Sequence, residues 1–228
     1  MEIVIIGAGG HGSELYSYLH DMSAVDPQIH MAGFVDEGKP SGRWNEAQIL
    51  GGFDDLQALL RAQSDSAFGY ITAVGNNELR RTLVEKAIRL RAPNLRAWTL
   101  IHPGATVGRD VIFGEGTCAA PGSIVTTRVR VGRHSILNVK ASVSHDCVIG
   151  DFVNINPGAV IAGNVHVGDG CFIGAGSTII ENVSIGEWAV IGAGAVVIDD
   201  IPPYCTAVGV PARIIKRPGW KEARVGSR

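Results

Sequence analysis

The chain has 228 residues, 46% of them hydrophobic and 18% charged, which is enough apolar material for one large core or two small ones. Its 20 basic and 22 acidic side chains give a formal net charge of −2, and no Lys/Arg-rich stretch stands out, which argues against nucleic-acid binding. The longest apolar runs fall far short of the roughly 20 residues of a membrane span, and no basic region precedes the N-terminal apolar stretch, which ends at Gly7, so neither an anchor nor a signal peptide is expected.

In chain order, residues 1–6 read as a buried strand, followed by Gly7-Ala8-Gly9-Gly10-His11-Gly12, a G-x-G-x-x-G turn, and by helical character from Ser13 to Leu19. The glycines allow a tight turn and close approach of backbone to phosphate, and a helix N-terminus favours negative charge. A second strand is predicted at 31–35, ending in Asp36-Glu37, and a third at 70–74, ending in Gly75. Helices are predicted at about 53–63 and 77–90, so the first hundred residues form a small parallel α/β unit. Strand ends of such a sheet face the ligand, so Gly9, Gly10, His11, Asp36 and Gly75 are expected to line one pocket, with Glu37 next to Asp36 as a further substrate-binding candidate. An NAD-dependent dehydrogenase is disfavoured: there is space for about one mononucleotide-binding half and none for a separate catalytic domain.

From Ile101 a step of six residues lands on Val107, Phe113, Ala119, Val125 and so on to Val197, with Ile, Val or Leu at fifteen of seventeen positions and no change of register. Glycine recurs one residue later, as at Gly108, Gly132, Gly150 and Gly168, and a small residue four later, from Ala105 to Ala195. Neither a helix nor an ordinary strand has this period; a parallel β-helix of short strands does. The aliphatic residue points into a narrow prism, the small one occupies a tight corner, and the glycine is expected to relieve the backbone at the turn. At 18 residues per coil the repeats make between five and six coils, a prism roughly 25–30 Å long.

This pattern resembles the hexapeptide repeat of left-handed β-helix acyltransferases, and the segment from Ile201-Pro202-Pro203 to Pro211-Ala212-Arg213 resembles the piece with which they close the helix and contact coenzyme A. Joined to a G-x-G-G-H-G unit, it resembles the bacterial sugar acetyltransferases that include nucleotide-4-amino-sugar N-acetyltransferases of the bacillosamine and perosamine type and sialic acid O-acetyltransferases. The resemblance runs from Ile3 to about Lys216. It implies a Rossmann-like nucleotide-sugar-binding domain over 1–97, a left-handed β-helix domain over 98–228, acetyl-CoA as co-substrate and a homotrimer. It also implies that Gly9, Gly10 and His11 contact the diphosphate, with Asp36 near base or ribose and Gly75 near the sugar nucleotide.

Of the seven histidines, His145 in Ser144-His145-Asp146-Cys147 matches the family's catalytic histidine with its acidic follower. Attack on a thioester requires an amine or hydroxyl to lose a proton; a neutral imidazole, of ordinary pKa about 6.5, can take it, and Asp146 can orient the ring. One coil on, at +18, stands Gly163, where a missing side chain leaves a gap that a thioester arm could occupy; Ala175 and Ala193, also 18 apart, form a smooth column. By the resemblance these three fall at acyl-CoA positions, and Arg213, Lys216 and Arg217 could pair with its phosphates. Asn154 stands where some relatives carry a second histidine; its amide can donate to an oxyanion but cannot act as an acid, which makes it a binding candidate. No metal is expected, because His134, His145 and His166 are 11 and 21 apart and do not stack. Cys118, Cys147, Cys171 and Cys205 lack C-x-x-C spacing, so a reduced, cytoplasmic protein is expected, with Cys147 and Cys171 as packing residues. The expected activity is N-acetylation of the 4-amino group of a nucleotide-linked sugar, with sugar O-acetylation and a non-enzymatic nucleotide-binding scaffold as the alternatives.

Overall fold

A computed structural model describes residues 1–44 and 47–217; residues 218–228 of the expected second domain lie outside the described residues. The chain opens with strand β1 (Glu2–Ile6), helix α1 (Gly10–Val25), strand β2 (His30–Val35), the antiparallel hairpin β3 (Gly42–Trp44) and β4 (Ala47–Gly51), and helix α2 (Phe53–Ala62). Strand β5 (Phe68–Thr72), helix α3 (Asn77–Arg89) and strand β6 (Leu95–Ala97) follow, giving a sheet of order β3-β4-β2-β1-β5-β6. The central strands are parallel, and β1 and β5 are almost wholly buried, as their unbroken apolar runs require. The β3–β4 hairpin and β6 were not expected from the sequence. Helix α1 starts earlier than expected, so that Gly10 and His11 belong to its first turn.

From Leu100 onward two-residue strands recur every six residues and stack on the strand 18 residues away, forming three flat faces. The first face carries Ile101, Ala119, Leu137, Ile155, Ile173 and Ile191; the second carries Val107 to Val197; the third carries Phe113 to Ile185. Most of these side chains fill the prism interior, from Val125 to Val197, with the small residues Ala141, Cys147, Ala159, Cys171 and Ala195 between them. Each buried aliphatic contributes roughly 1.5–3 kcal/mol. The last coil is shorter: Ile191 pairs with Ala207, and the chain then turns back as an antiparallel strand, Arg213–Lys216.

The expected role of the repeated glycines needs correction. Left-handed backbone recurs every six residues from Asp110 to Gly194, three residues after each aliphatic plug, and the occupants include Arg128, His134, Asp146 and Phe152. The glycines one residue after the plug serve close approach between coils: a Cβ on Gly132 would lie 2.4 Å from the Gly150 carbonyl carbon, and one on Gly108 1.7 Å from the Thr126 oxygen.

The α/β unit sits on the first face and on the edge joining the third face to it. Arg80 of α3 is fully buried and donates to the carbonyls of His134 (2.9 Å), Phe152 (2.8 Å) and Val74 (2.8 Å). Asn77 donates to the carbonyls of Gly170 (2.9 Å) and Cys171 (3.0 Å). Burial pulls the Arg80 pKa down to about 10, so the clamp stays charged at neutral pH.

Candidate active site

Two groups of residues stand out. The first lines the C-terminal edge of the sheet, where β1, β2 and β5 end side by side. Gly7 (φ +108) turns the chain out of β1, and a Cβ on Gly12 would meet the Gly7 oxygen at 2.4 Å, so these two glycines serve packing. Gly9 and Gly10 face open space, with nothing within 4 Å of a Cβ built on either. Asp36 ties the loop down, accepting from the Ala8 N–H (2.8 Å) and the Gly38 N–H (2.9 Å), while Lys39 donates to the Ala8 carbonyl. His11 holds Glu14 through Nδ1 (2.8 Å), and its buried Nε2 has no hydrogen-bond partner. Glu37 pairs with Lys86 at 2.6 Å. Asp36 and Glu37 line one hollow of about 330 Å³ with Gly51 and Gly52. Gly75 lines another of about 320 Å³, with Asn76, Phe172, Trp188 and Tyr204.

The second group lies on the edge between the second and third faces. His145 Nδ1 is 2.8 Å from Asp146 Oδ2. Asp146 also accepts two hydrogen bonds from Arg128, Nε to Oδ1 at 2.7 Å and a terminal nitrogen to Oδ2 at 3.0 Å. Arg128 first, and His145 second, hold the Asp146 carboxyl down at about 2. An ionised carboxylate only accepts, so Nδ1 carries the proton, and in the neutral ring Nε2 carries the lone pair. Among the described residues nothing hydrogen-bonds Nε2, and the side chain is 59% exposed. This pair can accept a proton at Nε2 and share the resulting charge.

Gly163 lies against that ring. A Cβ there would stand 2.5 Å from Cε1 and 2.7 Å from Nε2 of His145. The gap expected to hold a thioester arm is filled by the imidazole itself, a correction to the reason for the glycine. Asn154 is 4% exposed and donates to the Gly75 carbonyl at 2.6 Å, while its Oδ1 is buried without a partner. One of its two amide hydrogens is thus already engaged with the α/β unit.

Ala175 and Ala193 follow Ile173 and Ile191 on the edge between the first and second faces, a different edge from His145. Within one chain the structure unites Asn154 with Gly75 and His145 with Gly163, but it does not bring His145 to the sheet edge carrying Gly9 and Gly10. Arg213 and Lys216 are exposed on the final strand, with Arg217 just beyond it. The sequence reading missed Arg128, although its 18-residue offset from Asp146 was a usable signal, and it missed the interdomain clamp of Arg80 and Asn77.

Cys147 and Cys171 are buried, and burial pushes both thiols up, Cys171 to about 12, as fits packing. Among the described residues no group of three or more His, Cys, Asp or Glu is placed to hold a metal ion, and no helix is long and apolar enough to cross a membrane.

A left-handed β-helix with an exposed His–Asp pair, joined to a glycine-loop α/β unit, defines a hexapeptide-repeat acyltransferase. The family models agree: the PglD N-terminal domain matches residues 2–87, and the six-repeat bacterial transferase hexapeptide model matches 146–181 and 164–199. GDP-perosamine N-acetyltransferase of Escherichia coli O157:H7 is 30% identical over 154 residues, and UDP-N-acetylbacillosamine N-acetyltransferase of Bacillus subtilis is 35% identical over 115. Those alignments cover 67% and 50% of this chain and span 66% and 49% of the two relatives. The crystal structure of a histidine-to-alanine variant of GDP-perosamine N-acetyltransferase from Caulobacter crescentus, in complex with CoA and GDP-perosamine, superposes with a TM-score of 0.84 at 32% identity, covering 95% of this chain and 98% of that one. The chain belongs to the left-handed β-helix sugar acetyltransferase family.

Proposed function

We propose that the protein transfers the acetyl group of acetyl-CoA to the 4-amino group of a nucleotide-linked amino-deoxy sugar. The observation that carries this reading is the His145–Asp146 pair, oriented at Nδ1 and open at Nε2. The amine nitrogen attacks the thioester carbonyl carbon and gives its proton to His145 Nε2. The C–S bond then breaks, and the imidazolium returns the proton to the departing thiolate. Asp146 stabilises the transient charge on the ring.

In this reading Gly9, Gly10 and His11 receive the diphosphate. The open space above both glycines and the unpartnered Nε2 of His11 support that role. Asp36 and Glu37 lie toward the nucleoside and Gly75 toward the sugar. Ala175 and Ala193 offer a smooth edge to the pantetheine arm, Asn154 lies near its thioester end, and Arg213 and Lys216 take the phosphates. The domain roles divide accordingly, with residues 1–97 holding the sugar nucleotide and 98–228 the acyl donor.

A homotrimer reconciles the two edges. Those bearing His145 and Ala175/Ala193 flank the same second face, whose outer surface exposes Ile124 (44%) and Val160 (41%). With that face turned toward a threefold axis, the His145 edge of one prism meets the alanine edge of its neighbour, and the Gly75 loop with it.

The test is thiol release from acetyl-CoA with UDP-, GDP- and dTDP-linked 4-amino sugars and free sialic acid, with wild type and His145→Ala in parallel. Turnover of an amino sugar nucleotide that disappears in the variant is the expected result. Turnover with sialic acid alone would move the reaction to O-acetylation, and activity surviving in His145→Ala would remove the histidine from its role.

A further inference from the structure

We propose that Arg128 is a positioning residue for the transfer reaction: by gripping both oxygens of Asp146 it fixes the carboxylate at Nδ1 of His145, and so fixes which ring nitrogen faces the acceptor amine. The inference rests on His145 being the general base.

His145 is an exposed side chain on a prism edge, where nothing restrains an imidazole by burial. The ring is held on two sides, by Asp146 at Nδ1 and by the bare Cα of Gly163. Asp146 is itself a short, solvent-reached side chain that needs an anchor. Arg128 stands one coil below and supplies a planar fork matched to a carboxylate. The backbone holds the two coils in register, with the Asp146 N–H donating to the Thr127 carbonyl at 3.1 Å. Both anchors therefore come from the neighbouring coils, one on each side.

Stacked charges of this kind also occur where no catalysis is at issue. Arg133 and Asp151, 18 residues apart on the edge between the third and first faces, pair at 2.7 Å; His134 lies next to Arg133, but among the described residues no imidazole hydrogen-bonds the Asp151 carboxylate. That pair is the internal control. The charged groups around His145 are few. Asp146 and Arg128 lie beside and below it, Asp110 lies below Arg128, and Arg109 lies below Thr127. On the coils above are the neutral Asn164 and Asn182, bonded to each other at 2.7 Å, and Glu181 two coils up. The neighbouring Cys147 thiol is buried.

Removing Arg128 takes a positive charge from the shared carboxylate and frees that carboxylate to rotate. Arg128→Met, Arg128→Lys and Arg133→Met would each be compared with wild type in two ways. The first is the pH profile of kcat and kcat/KM. The second is 15N NMR of labelled histidine in the free protein, with the His145 signal assigned by its absence in His145→Ala. The second readout needs no substrate, so it stands even if the acceptor proposed above is wrong.

For Arg128→Met the expected result is a roughly 10–100-fold fall in kcat with the KM for acetyl-CoA within about twofold. The acid limb should move up, because a positive charge has left the carboxylate that faces the ring, and the Nδ1–H tautomer should lose population. Arg128→Lys should restore the acid limb but only part of kcat, because it keeps the charge and loses the fork. Arg133→Met should match wild type in all of these. A wild-type tautomer population and pH profile in Arg128→Met would overturn the proposal, as would an equal loss in Arg133→Met, which would reduce the Arg128–Asp146 pair to one more rung holding coils together.

Discussion

Between pH 7.5 and pH 4 the protein is expected to lose about 3 kcal/mol of stability through one buried imidazole, His134. Its ring is 6% exposed and lies between Phe152 (centroids 5.3 Å apart, planes at 19°) and Tyr70 (6.2 Å, 17°). Gly116 is so close that a Cβ there would stand 2.1 Å from Nδ1, and that nitrogen has no hydrogen-bond partner. Desolvation, then the charges of Arg133 and Arg80, pull the pKa down from 6.5 to about 4. The neutral ring is thus favoured by the fold. Its contribution is fully present above about 6.5, the unfolded value, and is lost as pH falls to about 4, because the unfolded chain takes up a proton that the folded chain refuses. At about 1.4 kcal/mol per pH unit, that interval is worth roughly 3 kcal/mol. Urea denaturation at half-unit steps from pH 7.5 to 4 would be compared for wild type and His134→Asn, since asparagine tolerates the left-handed backbone at this position (φ 53). The variant starts from a lower plateau, having lost the ring stack, and its curve should be flatter by about 3 kcal/mol over the interval. The depressed Asp146 carboxyl acts below this window, between 3.8 and about 2, and does not blur the comparison. Parallel curves would refute the reasoning, showing that the junction admits a charged imidazole or enough water to solvate one.

Gly163→Ala should leave the melting temperature nearly unchanged, because the far end of the His145 side chain can yield, yet lower kcat by roughly 10²-fold as the base is displaced; wild-type kcat would mean the ring has a second productive position. Arg80→Met strands three carbonyl acceptors at the junction and should cost about 3 kcal/mol in chemical denaturation, with an unshifted midpoint indicating that water takes the arginine's place. Gly10→Ala and Gly12→Ala should separate binding from folding. The first has open space and should chiefly raise the KM for the sugar nucleotide, whereas the second meets the Gly7 oxygen and should lower stability even without substrate. Equal melting temperatures for the two would contradict that division.

The prism was legible because its rule is nearly one-dimensional. An aliphatic residue every six positions leaves a single register, and from Val125 to Val197 the residues named from that period fill the interior, while Ile101 and Val107 in the first coil stay exposed. The order of strands and helices in the α/β unit was also legible, down to α2 and α3 within a residue or so. Three features were not. Corner conformation was misassigned because glycine has two uses, left-handed φ and close approach, and the sequence does not say which applies; only the coordinates separate Gly132 from Gly116. Arg80 escaped notice because an arginine on an amphipathic helix reads as solvated, whereas here the carbonyls at one edge of the prism supply the acceptors that let it be buried. Gly163 was placed correctly by arithmetic but given the wrong occupant, since counting by 18 finds neighbours without saying which of two side chains fills a gap.

The contact between His145 and Asp146 itself follows from the corner. In an extended strand successive side chains point to opposite faces, so adjacent residues cannot share a proton. Asp146 occupies one of the left-handed positions that recur every sixth residue, with φ 61, and there the chain turns sharply enough to put the carboxylate beside the ring of the residue before it. Aspartate is among the few residues other than glycine that adopt this backbone readily. The same geometry sets Arg128, also left-handed at φ 53, directly beneath. A histidine two residues after the aliphatic plug, an acid three after it, an arginine one coil before the acid and a glycine one coil after the histidine together make a rule readable from sequence. Where a chain of this fold has the first two but lacks the arginine or the glycine, the base should be less well held, and the acid limb of its pH profile should lie higher when it is the arginine that is missing.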